Sequence, residues 1–161
     1  MEYSRIMARI CCMLCIWITT ELGMAKSIIA ANKETNIIEL TQTGCQFLEP
    51  EEKDHHFQTT GENDCKKINE KSGIERLKSV KPMKLKPGKY NFRITNKNVP
   101  YPLGFWLRGV GLQQITLPSV SGGGLTTGST KNYQIILKPG KYVYSCPLNP
   151  TPSYPIIVEK Y

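Results

Sequence analysis

Apolar and polar side chains alternate over most of Asn36-Ile-Ile-Glu-Leu-Thr-Gln-Thr43, the two-residue period of a strand with one buried face. Beyond Lys81, short segments of similar texture recur roughly every ten residues between prolines and glycines. They are 82–86, 89–95, 103–108, 113–117, 131–137, 141–145 and 154–158. Short strands at this spacing predict an all-β fold, an antiparallel β-sandwich. Two phrases nearly repeat, Leu85-Lys-Pro-Gly-Lys-Tyr90 and Leu137-Lys-Pro-Gly-Lys-Tyr142. Pro-Gly suits the middle of a tight turn, so each phrase reads as strand, turn and strand.

The pattern breaks in two places. From Glu49 to Val80 the chain is charged and poor in large apolar residues, and it is read as a loop and helix insertion of about residues 51–80. Its helix is expected over Cys65 to Leu77, with Asn63 or Asp64 as cap. Ser119-Val-Ser-Gly-Gly-Gly-Leu-Thr-Thr-Gly-Ser-Thr130 is read as a mobile connection between strands. It has no lysine after Gly128 and no helix to open, so a phosphate-binding loop is excluded.

The amino-terminal stretch follows a different logic. Arg5 and Arg9 precede the apolar run Ile10–Ile18, and small residues follow at Gly23 and Ala25. That order predicts a secretory signal peptide, residues 1–25, cleaved after Ala25, with Ala30 or Ala31 as other sites. Residues 26–161 are then one exported domain, soluble after cleavage. Cys11, Cys12 and Cys15 leave with the signal, and Cys45, Cys65 and Cys146 remain. In an oxidising compartment a disulfide between two of these three is expected.

Charge is unevenly distributed. Eight acids lie between Glu49 and Glu75, whereas 81–161 holds eleven Lys or Arg against the single acid Glu159. A basic body of this kind favours an acidic protein partner or a membrane surface. Export and the lack of interleaved aromatic and basic residues argue against nucleic acid. No small-molecule substrate is evident. With no histidine and one acid in the basic body, neither a Ser-His-Asp arrangement nor a carboxylate pair can be assembled, so an enzyme is not expected.

Metal-ligand candidates in the exported chain are few: Cys45, Cys146, His55 and His56, with Met83 the remaining sulfur outside Cys65. Cys45, one of the histidines and Cys146 would suit a soft metal by composition. Against this stands the simpler reading of a disulfide and two solvated histidines. Three pairings are open: Cys45–Cys65, Cys45–Cys146 and Cys65–Cys146. The first is preferred and leaves Cys146 free as a thiolate ligand.

The segment Lys138-Pro-Gly-Lys-Tyr-Val-Tyr-Ser-Cys146, followed by a loop and a last short strand, resembles a cupredoxin. Cys45-Gln-Phe-Leu-Glu-Pro50 and the loop Cys146-Pro-Leu-Asn-Pro150 are most similar to the cupredoxin-like domain in the periplasmic component of bacterial elemental-iron uptake systems. The resemblance covers about residues 37–50 and 81–158. It implies a Greek-key sandwich in the periplasm, with Cys45 and Cys146 near each other at one end and able to bind copper or iron with nearby carboxylates. The blue-copper ligands are largely missing. Asn149 stands where a loop histidine is expected, and Leu103–Leu107 carries neither the other histidine nor the carboxylates.

Phe105 and Trp106 are adjacent and point to opposite faces of a strand. Core packing is the first reading of both; an exposed one near the Cys146 loop would form a docking patch with Arg108 and Asn149. Two functions follow as expectations. One is a metal-handling accessory using copper or iron. The other is a metal-free sandwich that docks an acidic partner.

Overall fold

Along Gly88–Asn96 buried and open positions alternate, with Tyr90, Phe92, Ile94 and Asn96 inward and Lys89 and Arg93 outward. This is the geometry that a two-residue period dictates. The computed structural model describes residues 35–160. In chain order the elements are β1 (Asn36–Thr43), β2 (Gln46–Phe47), α1 (Leu48–Glu51), α2 (Glu62–Ser79), β3 (Met83–Leu85), β4 (Gly88–Asn96), β5 (Leu103–Gly109), α3 (Gln113–Thr116), β6 (Val120–Leu125), β7 (Thr130–Leu137), β8 (Gly140–Ser145) and β9 (Tyr154–Val158). The signal peptide expected over 1–25 lies outside the described residues.

Two sheets form, β2-β1-β4-β7 and β3-β9-β8-β5-β6. Their inner faces meet in one aromatic core. Phe92 of the first sheet stacks on Phe105 of the second at 5.6 Å between ring centroids, and Tyr133 reaches Phe105 at 5.0 Å. Phe47 meets Tyr144 and Tyr154 edge-on at 5.1 and 5.7 Å.

The strands are not all antiparallel as expected: β1 runs parallel to β4 and β3 parallel to β9. A parallel pair needs a long crossover rather than a tight turn. The segment read as an insertion supplies it, since the chain travels from β1 to β4 through β2, α1, α2 and β3.

Helix α2 begins earlier than expected, at Glu62, with Gly61 as cap. Neither Asn63 nor Asp64 caps it. Instead the Asp64 carboxylate reaches back to accept bonds from the Thr60 amide and hydroxyl at 2.8 and 2.9 Å, which hold its pKa below the ordinary value. The buried positions of α2 are Cys65, Gly73 and Arg76. Only Leu77 of this helix packs an apolar side chain against the core among the described residues; a sulfur bridge, a glycine beside Pro152 and an arginine supply the buried contacts that an apolar stripe would.

Two further expectations are corrected. Gln113–Leu117 is not a strand: Gln113–Thr116 is the helical turn α3, closed by amide bonds from Gln113 to Val110 and from Gln114 to Gly111. The glycine run contains an edge strand, β6, with Gly122 opposite Phe105 and an irregular register toward Leu103. A Cβ at Gly122 would lie 3.0 Å from the Tyr133 ring. Glycine here admits an aromatic side chain from the facing sheet rather than providing mobility.

Candidate functional site

Cys146 follows β8 and is buried, its sulfur accepting the Gly104 amide of β5 at 3.3 Å. Its own amide donates to Thr151 Oγ1 at 3.1 Å. Burial raises the thiol above its ordinary pKa, although the amides of Gly104, Asn149 and Leu148 favour the thiolate. Burial therefore favours the thiol over the thiolate and makes this sulfur a weak nucleophile. On its other side the Gln42 amide donates to the Gly104 carbonyl at 2.9 Å.

Cys45 and Cys65 form a disulfide with Cα atoms 4.9 Å apart, as preferred from the sequence. The bridge ties the β1–β2 turn to α2. Cys45 has φ of 60°, and the preceding Gly44 lies so close to the Phe57 carbonyl that a Cβ would come within 2.3 Å of its oxygen. Asn149 holds the same turn from the Cys146 loop. Its side chain donates to the Thr43 carbonyl at 3.0 Å and accepts from the Cys45 amide at 3.2 Å and the Tyr101 hydroxyl at 3.0 Å. Cys65 Sγ, 2.9 Å from the same Asn149 oxygen, carries no hydrogen once bridged, so that approach is a contact and not a hydrogen bond. Asn149 is fully buried and has no place on an exposed docking patch.

A buried ionic cluster completes this end. Arg76 Nε and Nη2 donate to the two Glu51 oxygens at 2.8 and 2.6 Å, and Nη2 also donates to the Cys45 carbonyl at 3.1 Å. Burial alone would lower the Arg76 pKa; the hydrogen bond and charge of Glu51 outweigh it and raise it. Tyr154 donates its hydroxyl to Glu51, and Asn69 links Arg76 to the Pro150 carbonyl of the Cys146 loop. His55 lies 2.9 Å from Glu51 and stacks on Phe57. His56 is 82% exposed beside Asp54.

The residues named as ligands are thus dispersed. Cys45 cannot be a thiolate while bridged, His55 belongs to the Glu51 cluster, His56 faces solvent, and Cys146 is surrounded by amides. Among the described residues no group of three or more His, Cys, Asp or Glu side chains could hold a metal ion. The donors around Cys146 do not fit the thiolate and imidazole set of a copper site.

The outer face of β5 is different. Gly104, Trp106 and Arg108 share it, with Leu148 packed over Gly104 and Gly123. Trp106 is 37% exposed and Leu148 44%. The Arg108 guanidinium lies 3.9 Å from the Trp106 ring centroid. It donates to Ser145 Oγ at 3.0 Å and Ser153 Oγ at 3.3 Å, and among the described residues it has no carboxylate partner. Partial burial lowers its pKa, yet a guanidinium stays charged.

Sequence reasoning overlooked Glu51, Asn69, Tyr101 and Arg76. A signal for Arg76 was present: the other cations of α2 are Lys66, Lys67, Lys71 and Lys78, and arginine is the residue suited to a buried two-pronged carboxylate bond. Comparison with known protein families gives no match, and no curated protein matches the chain.

Proposed function

We propose that this chain is an exported, cupredoxin-like sandwich that acts as a metal-free interaction module, docking an acidic protein segment on the outer face of its second sheet. The observation that carries this reading is the Trp106–Arg108 stack. A cation held by two serine hydroxyls, partly desolvated and without a carboxylate partner among the described residues, gains strongly from an incoming acid. Trp106 and Leu148 beside it offer apolar contact, and Trp and Arg are the residue types that dominate binding energy at interfaces. The Cys45–Cys65 disulfide supports an oxidising, periplasm-like compartment. The buried polar network at the Cys146 end supports a structural role for that loop, which anchors Leu148 against β5 and β6.

The test is fluorescence anisotropy of a labelled peptide containing aspartate and leucine, against its asparagine counterpart. Micromolar binding of the acidic peptide, weakened at least about tenfold by Arg108→Ala and by Trp106→Ala, is expected. Equal binding of both peptides, or insensitivity to both substitutions, contradicts the reading.

A further inference from the structure

The opposite end of the sandwich carries a second surface. Pairing of Gly88 with Leu137, Gly140 with Val158, Leu85 with Val158 and Gly109 with Tyr142 brings both Lys-Pro-Gly-Lys turns, the β5–β6 connection and the end of β9 together. The two turns are built alike, with the Tyr90 hydroxyl donating to the Lys86 carbonyl and the Tyr142 hydroxyl to the Lys138 carbonyl. Lys86, Lys89, Lys138, Lys141 and Lys160 are all exposed at this end, against one acid among the described residues, Glu159, which faces Lys84 at 3.4 Å.

From the same end the β5–β6 connection presents apolar side chains to solvent. Leu112 is 87% exposed, Ile115 85% and Val110 43%. The segment is not loose chain. Val110 donates its amide to the Lys141 carbonyl at 3.0 Å, Gln113 Oε1 accepts the Lys141 amide at 3.0 Å, and Leu117 packs where a side chain on Gly140 would stand. Ile115 falls within the strand that the sequence pattern predicts; in the turn α3 it stands outward instead, as does Leu112 just before that turn.

We infer that this end is a peripheral membrane-binding surface, with Leu112 and Ile115 entering an anionic lipid layer and the lysines of the two turns lying on its headgroups. Nearly complete exposure marks Leu112 and Ile115 as a projecting tip, which a fluid acyl layer receives without a preformed pocket. The surrounding cations complement anionic headgroups. Strand β1 also begins here, with Asn36 pairing with Tyr90. The surface is independent of the Trp106 face, and either can fail alone.

The exported protein is tested by co-sedimentation with vesicles of phosphatidylcholine containing phosphatidylglycerol, and with phosphatidylcholine alone. Binding to the anionic vesicles only is expected. The double variant Lys138→Glu with Lys141→Glu should weaken it at least about 25-fold, from about fivefold for each charge. Leu112→Ser with Ile115→Ser should weaken it at least about tenfold. Both pairs are exposed, and unchanged thermal unfolding of each variant confirms that the fold persists. Equal binding to both vesicle types overturns the inference. So does loss in the lysine variant alone with none in the Leu112 and Ile115 variant, because that pattern describes electrostatic adsorption to headgroups without insertion of the apolar tip.

Discussion

Arg76 of α2 and Glu51 of α1 meet in a two-pronged ion pair, at 2.8 and 2.6 Å, with 7% and 2% of their side chains exposed. This pair does for α2 what an apolar stripe does for most helices. Truncating one partner leaves a buried charge uncompensated, so Arg76→Ala should cost about 3–5 kcal/mol in urea unfolding. Replacing both with apolar residues of similar size, Glu51→Leu with Arg76→Met, should recover part of that loss. A variant as stable as the parent after Arg76→Ala alone would show that the pair does not hold the helix.

Alkaline pH should destabilise the protein through its tyrosines. Burial, reinforced by Glu49 and Glu51, holds Tyr144 far above the ordinary range, and burial with Glu51 does the same for Tyr154. These pKa values are raised in the fold, so the stabilisation is full below about pH 10 and falls as pH rises further, where unfolded tyrosines ionise and the folded ones do not. Thermal unfolding measured between pH 8 and 11, on the order of those limits, should show this decline, and Tyr144→Phe should flatten it. For Asp64 the sign reverses. Its lowered pKa gives stability above the ordinary carboxylate range that is lost on acidification, and Asp64→Asn should remove that acid dependence.

Alkylation without reductant should find Cys146 as the one free thiol among the described residues, and only in denaturant, because it is buried. Export with cleavage of 1–25 predicts a single modified thiol per chain; retention of Cys11, Cys12 and Cys15 as thiols would add three. Cys65→Ser should lower stability by about 3 kcal/mol on chain-entropy grounds. Rapid labelling of native Cys146 would contradict its burial.

Much of the fold was legible because it rests on local alternation. The strands at 36–43 and 154–158 appear with the bounds the pattern predicts, whereas each Lys-Pro-Gly-Lys phrase is a bend from one sheet to the other, with Gly88 and Gly140 opening strands rather than centring tight turns. What was hidden depends on tertiary partners. Gly122 reads as loop because glycine carries no strand signal, yet the Tyr133 ring needs its missing side chain. Gln113–Leu117 reads as strand because apolar and polar residues alternate, yet Gly111 and the Lys141 contact turn it into a helical cap over the start of β8. The parallel pairings could not be read from local patterning, since they depend on the route of a long crossover. At the Cys146 end, the sequence showed which groups could be ligands but not that Asn149 and Arg76 bind the turn that Cys45 occupies.

Native mass spectrometry of the protein as exported, compared with its Cys146→Ser variant, tests the metal-free reading most directly. The expected result is the polypeptide mass with one disulfide and no metal for both proteins, before and after exposure to copper or iron and buffer exchange. Stoichiometric copper or iron retained by the parent and absent from the Cys146→Ser variant would contradict it.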